Sequence, residues 1–173
     1  MEDVLKFWFE TLEAKDWYRS SKELDTRIHE QFDATYSKII AGETASWRDT
    51  AQGRLAEIIV LDQFGRNMYR GTSKPFVYDC LALALAQEAV RGGFDQLLDK
   101  KERAFLYMPY MHSESTLVHR DAIELFKDLP NYDYEVRHKN VIDQFGRYPH
   151  RNAVLGRKST DEELHWMKDN RGF

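Results

Sequence analysis

Ser20-Ser21-Lys22-Glu23-Leu24-Asp25-Thr26-Arg27-Ile28-His29-Glu30-Gln31-Phe32-Asp33-Ala34-Thr35-Tyr36-Ser37-Lys38-Ile39-Ile40-Ala41-Gly42 is the stretch whose reading decides the fold. Leu24, Ile28, Phe32, Thr35 or Tyr36, and Ile39 recur every three or four residues. That spacing puts them on one face of a helix but scatters them over both faces of a strand. Ser20, three residues ahead of Glu23, has the spacing of a capping box, and Gly42 suits the C-terminal cap. The same period continues outward. Val4, Leu5, Trp8, Phe9 and Leu12 predict a short first helix, and Leu55, Ile58, Ile59 and Leu61 a third. A fourth is expected to start near Ser73 and Pro75, since proline is tolerated in a first helical turn. Its expected face is Phe76, Cys80, Leu83, Gln87 and Val90, and Gly92-Gly93 ends it. Residues 102–108 read as a fifth helix halted by Pro109, and residues 117–129 as a sixth halted by Pro130. Residues 134–145 make a seventh. An eighth begins at Thr160, which again stands three residues before a glutamate, Glu163. The expectation is an all-α protein, one domain over residues 1–173, of about eight helices with short connections.

Composition narrows the class. A chain of 173 residues fits one domain and buries roughly 70% of its unfolded surface on folding. Its 42% hydrophobic and 31% charged residues are ordinary for a globule, while 13% aromatic residues is high and implies a ring-rich core or a ring-lined cleft. A net charge of −4 gives nucleic-acid binding no global electrostatic support. The single cysteine, Cys80, excludes an internal disulfide and is expected to be an inert core residue. The acidic start Met1-Glu2-Asp3 lacks the basic and apolar regions of a secretory signal. No stretch approaches the roughly 20 apolar residues of a membrane span. A cytoplasmic protein is expected.

The pentapeptide Asp-Gln-Phe-Gly-Arg occurs twice, as Asp62-Gln63-Phe64-Gly65-Arg66 and Asp143-Gln144-Phe145-Gly146-Arg147. No local folding rule demands this. If the helix runs through each copy, Asp62–Arg66 and Asp143–Arg147 are pairs at i and i+4 on one face. A guanidinium braced in this way presents a planar fork suited to carboxylate or phosphate. Gly65 and Gly146 are each expected to end a helix, with Phe64 and Phe145 as core anchors. After the first copy come Asn67 and Arg70. After the second come His150, Arg151, Asn152, Arg157, Ser159 and Thr160, with no acid between Gln144 and Thr160. This basic run leads into a helix N-terminus, where free N–H groups and the dipole favour an anion; a solvated loop with a capping Thr160 is the plainer alternative.

His112 beside Glu114 offers an oriented acid–base pair, with Arg103 a turn or two upstream. His138 and His150 are further proton-transfer candidates. The spacing of His112, Glu114, His138 and His150 matches no compact metal motif, and no nucleotide- or cofactor-binding signature is present.

Taken together, these segments resemble an uncharacterised bacterial family, domain of unknown function 924. The resemblance runs nearly end to end. It is carried by Phe7-Trp8-Phe9, by Leu61 to Asn67 with Arg70-Gly71, by Arg103 with Phe105-Leu106-Tyr107, and by His112-Ser113-Glu114. It is carried further by His138 and by the long block from Phe145 to Asn152, followed by Leu155-Gly156-Arg157 and Ser159-Thr160. Gly65 stands where the family usually has proline, and Tyr148 where it usually has phenylalanine. The resemblance implies a fold similar to the tetratricopeptide-repeat-like right-handed helical arrays, although that repeat's own signature is absent here. It implies no catalytic set.

Two functional expectations follow. In the first, a pocket binds or turns over a small anionic ligand: Arg66, Arg70, Arg147, Arg151 and Arg157 hold it, and His112, His138 or His150 moves a proton, oriented by Glu114, Asp62 or Asp143. In the second, a helical scaffold pairs the same arginines with an acidic peptide or protein, Tyr18, Tyr69, Tyr107 and Tyr148 adding contact area. A third reading makes the motifs a polar network that only fixes the fold.

Overall fold

The computed structural model describes residues 1–170. Every regular element among them is helical. The order is α1 (Glu2–Lys6), α2 (Ala14–Trp17), α3 (Lys22–Ile40), α4 (Ala51–Ile58), α5 (Gly65–Met68), α6 (Asp79–Arg91), α7 (Lys100–Met111), α8 (Thr116–Phe126), α9 (Tyr132–Phe145) and α10 (Asp161–Asp169). The eight expected helices are all present. The short α2 is added, and the expected third helix is a continuous run, α4 and α5 joined through a π-helical segment at Ile59–Phe64.

The long helix starts one residue later than its pattern suggested. Ser21, rather than Ser20, is the cap, and its hydroxyl accepts from Leu24 N at 3.3 Å. Its buried face is Ile28, Phe32, Tyr36 and Ile39, as the period requires.

At the centre lies α7, with α4, α6 and α8 against it. All eight residues from Ala104 to Met111 are buried, so the C-terminal two turns of this helix are covered on every side. Pro109 was expected to halt it, yet the helix runs through. Interior proline costs about 3 kcal/mol. Tyr110 and Met111 beyond it are 4% and 2% exposed, and burying two large side chains returns roughly 1.5–3 kcal/mol each. Packing therefore overrides the local break.

The face of α6 also departs from expectation. Its buried residues are Ala82, Leu85, Ala86 and Ala89, and Cys80 is exposed. The cause is a 3-10 turn at Lys74–Tyr78 ahead of the helix. Three residues per turn rather than 3.6 shifts the phase, so a face counted from Phe76 points the wrong way.

The two pentapeptides adopt different backbones. Gly146 ends α9 with φ +68°, in the left-handed region. Gly65 has φ −54° and the helix passes through it. A Cβ at Gly65 would sit 3.3 Å from the Tyr36 ring, a tight contact in an ordinary helical backbone, whereas Gly146 holds a left-handed turn that favours glycine. Gly146→Ala is accordingly expected to lower stability by about 1–2 kcal/mol, and Gly146→Asn by less, since asparagine visits that region more readily; chemical denaturation measures both.

Candidate functional site

Gln63 and Arg66 of the first pentapeptide line a cavity of about 450 Å³. Asp62 is 1% exposed. Its Oδ1 receives the His112 Nδ1 proton at 2.7 Å and lies 3.0 Å from Arg66 Nη1, and Gln63 Nε2 donates to its Oδ2 at 2.6 Å. Burial pushes the Asp62 carboxyl up, but Arg66 and His112 outweigh it and hold the group well below the usual carboxylate range. The π-helical turn carries Asp62 and Gln63, a distortion that recurs at functional sites.

His112 caps the C-terminus of α7. Burial lowers its pKa against the pull of Asp62. With Nδ1 committed to a carboxylate, the neutral ring keeps its lone pair on Nε2.

Arg66 turns its other nitrogen to Asp79 Oδ2 at 3.0 Å. Arg151 reaches the same oxygen at 3.6 Å and donates to the His112 carbonyl at 3.0 Å. The Arg151 guanidinium lies between two rings, 4.3 Å from Tyr148 and 5.1 Å from Phe76, and Arg66 lies 5.7 Å over Phe76. Burial, then the neighbouring charge of Arg66, lowers Arg151 to about 10. Asp62 and Asp79 hold Arg66 in the opposite direction, above the usual value despite its burial.

His138 and His150 line the same cavity. His138 Nδ1 donates to the Tyr134 carbonyl at 2.7 Å. Burial, and then the charge of His112, lowers His138 to about 3; burial, and then Arg151, lowers His150 to about 4. Arg70 and Asn67 close one side, both held by Asp25: Arg70 donates through two nitrogens at 2.8 and 3.0 Å, Asn67 at 2.8 Å. Trp17, Pro75, Phe76, Met108 and Met111 supply apolar wall, and the Tyr18 and Tyr134 rings stack 6.5 Å apart at the rim.

The second pentapeptide does not join this cavity. Because Gly146 ends the helix, Arg147 leaves the register that would pair it with Asp143. Arg147 instead grips Glu163 through two bonds at 2.6 and 2.8 Å, and Asp143 pairs with Lys139. The expected anion site at the N-terminus of α10 is filled by the chain itself. Thr160 caps the helix, its N–H donates to Glu163 at 2.7 Å, and Asn152 bridges Glu163 and Ser159. The fold-fixing reading fits this cluster. Glu114 does not touch His112. It receives Arg157 at 2.6 and 2.9 Å and the Tyr148 N–H at 2.8 Å, which ties the turn after α7 to the loop after α9. Arg103 lies apart, with Gln96 Oε1 at 3.5 Å.

Sequence reasoning missed Asp25, Asp79 and Asn131, as well as a buried pair behind the cavity. His119 and Glu135 are both fully buried and 2.6 Å apart, and His119 Nε2 reaches the Ser113 carbonyl at 2.9 Å. Burial holds the Glu135 carboxyl above its usual value despite His119. Each of these residues sits alone in its helix or turn, and only the fold reveals its partner.

A helical protein with a cavity walled by arginine, histidine and apolar side chains is the class these features define. The chain belongs to the bacterial family of unknown function DUF924, whose profile matches residues 4–171. It is similar to a solved structure of a protein of unknown function, ATU0120, from Agrobacterium tumefaciens. The two share 31% identity over 98% of this chain and 97% of that one, with a TM-score of 0.94. No curated protein matches the chain.

The α10 cluster predicts an acid-sensitive term. The Arg147 pairing above all, with bonds from Thr160 and Asn152, lowers Glu163 from 4.5 to about 2. A depressed carboxylate pKa contributes stability that is complete above 4.5 and is lost as pH falls toward 2. Glu163→Gln is expected to cost about 1–3 kcal/mol near neutral pH, with the gap from the parent closing below about pH 3 in denaturation followed by circular dichroism.

Proposed function

We propose that the cavity binds a small carboxylate- or phosphate-bearing molecule, with Arg151 and Arg66 as its anion partners and His112 as the group that exchanges a proton with it. The carrying observation is the convergence of these two guanidiniums above Phe76, beside an imidazole oriented by a buried aspartate. Among the described residues Asp79 is the only carboxylate paired with Arg151, at 3.6 Å, whereas Arg66 has two partners at 3.0 Å. Arg151 is thus the under-compensated cation, and an incoming anion relieves that imbalance. Asp62 takes the orienting role that sequence left open between three acids. His112 then acts directly on the ligand or on water, because among the described residues Thr72 is the one aliphatic hydroxyl on the wall and no thiol lines it.

Buried histidines support a small molecule over an acidic peptide, and the bidentate capture of Arg147 and Arg157 by Glu163 and Glu114 removes two of the arginines a peptide would use. The packing of α7 against its chain neighbours α6 and α8 supports the tetratricopeptide-like reading of the architecture. No described helix is long and apolar enough to cross a membrane, and a cytoplasmic location remains part of this proposal.

Sulfate is expected to raise the thermal midpoint of the parent and of Arg147→Met, and to do so at least about tenfold more weakly in Arg151→Met. An unchanged response in Arg151→Met overturns the assignment. Because burial lowers His112, His138 and His150 below the ordinary imidazole range, the sulfate response is expected to stay level between about pH 8 and about pH 7. It should rise as pH falls and these imidazoles gain protons, His150 near 4 and His138 near 3.

A further inference from the structure

Five helices are capped by the side chain of the residue before them: Ser21, Thr50, Asp99, Ser115 and Thr160 each accept a backbone N–H. Asn131 holds the same position before α9, and asparagine is among the best residues for the task. Its side chain makes no capping bond. The backbone carbonyl of Asn131 accepts from Tyr134 N and Glu135 N at 3.1 and 3.2 Å, and the residue is one of those bordering the cavity. Asn131 is 7% exposed, and neither its Nδ2 nor its Oδ1 has a hydrogen-bond partner. A buried amide with both functions unmatched is costly, and such groups in native proteins call for an explanation.

Asn131, Tyr134 and His138 stand at i, i+3 and i+7, so they form one stripe on the cavity wall. His138 is 6.2 Å from the His112 ring and 5.7 Å from Tyr148, against which Arg151 stacks. Asn131 lies two turns down the stripe, on the order of 10 Å away at 1.5 Å per residue. Met108, Met111 and Trp17 offer apolar surface in the same cavity.

We infer that Asn131 is a specificity-determining residue that reads an amide-type donor–acceptor pair on the ligand. The ligand class is an elongated acid whose charged end meets Arg151 and whose amide lies across an apolar spacer, on the order of 10 Å down the stripe from His138. Asparagine suits this because it donates and accepts side by side. This inference rests on the anion reading of the same cavity and adds a second recognition point to it.

Two probes of equal chain length test it by calorimetry. 6-Acetamidohexanoate and nonanoate have chains of nine atoms, and only the first carries an amide. The parent is expected to bind 6-acetamidohexanoate roughly tenfold more tightly than nonanoate. Asn131→Leu is expected to erase that preference while still binding nonanoate. Asn131→Asp keeps the shape and the acceptor but lacks the donor, and should lose most of the preference even if Asn131→Leu folds poorly. Arg151→Met should weaken both probes alike. Equal binding of the probes by the parent, or a preference that survives in both Asn131 variants, overturns the role of Asn131 and leaves the anion site standing. If neither probe binds the parent and sulfate gives no thermal response, both readings fail together.

Discussion

The ionised carboxylate of Asp62, shut away from water, is the constraint around which the cavity is built. A buried charge is tolerable only when its surroundings replace what water supplied. Here three donors do so: Gln63 and Arg66 from its own helical run, and His112 from the end of α7. Removing one partner of such a group typically costs about 3–5 kcal/mol, so the group pins parts of the chain 50 residues apart. The second acid, Asp79 at the start of α6, extends the chain of charges from Arg66 to Arg151. Four separate segments are thereby held around one space.

Chemistry and backbone part company in the repeated pentapeptide. In the first copy a helical glycine lets the arginine keep its register with the aspartate and enter the cavity. In the second, the left-handed glycine throws the arginine out toward Glu163. The same five residues thus supply part of a cavity wall once and a structural clamp once. The clamp still serves the cavity indirectly. It anchors the loop carrying His150 and Arg151, and the Tyr148 hydroxyl fastens the same loop to the Met111 carbonyl at 2.6 Å.

Much of the helical layout was legible because a period of 3.6 is a property of sequence alone. Ile28, Phe32, Tyr36 and Ile39 are buried as their spacing demands, and Thr160 caps α10 with Glu163 in reciprocal contact. What escaped was set by context. Pro109 stays helical because its neighbours are buried on all sides, and the 3-10 turn before α6 rotated a face that counting alone would misplace. For the cavity, residue type pointed to Arg66, His112, His138, His150 and Arg151, all of which line it. Type alone could not say which acid would meet which base. Glu114 next to His112 in sequence turned to Arg157, and Asp62 took its place from far along the chain. Asn131 gave no signal at all, since an asparagine ahead of a helix is expected to cap it.

The exposure of Cys80 has a practical side. It is the chain's one cysteine, it faces solvent, and it follows directly on Asp79, the acid that touches both Arg66 and Arg151. A thiol-reactive fluorophore would therefore attach at a single place on the edge of the charged end. Its emission would respond to rearrangement of that acid, giving an optical readout of occupancy that needs no knowledge of what the natural occupant is.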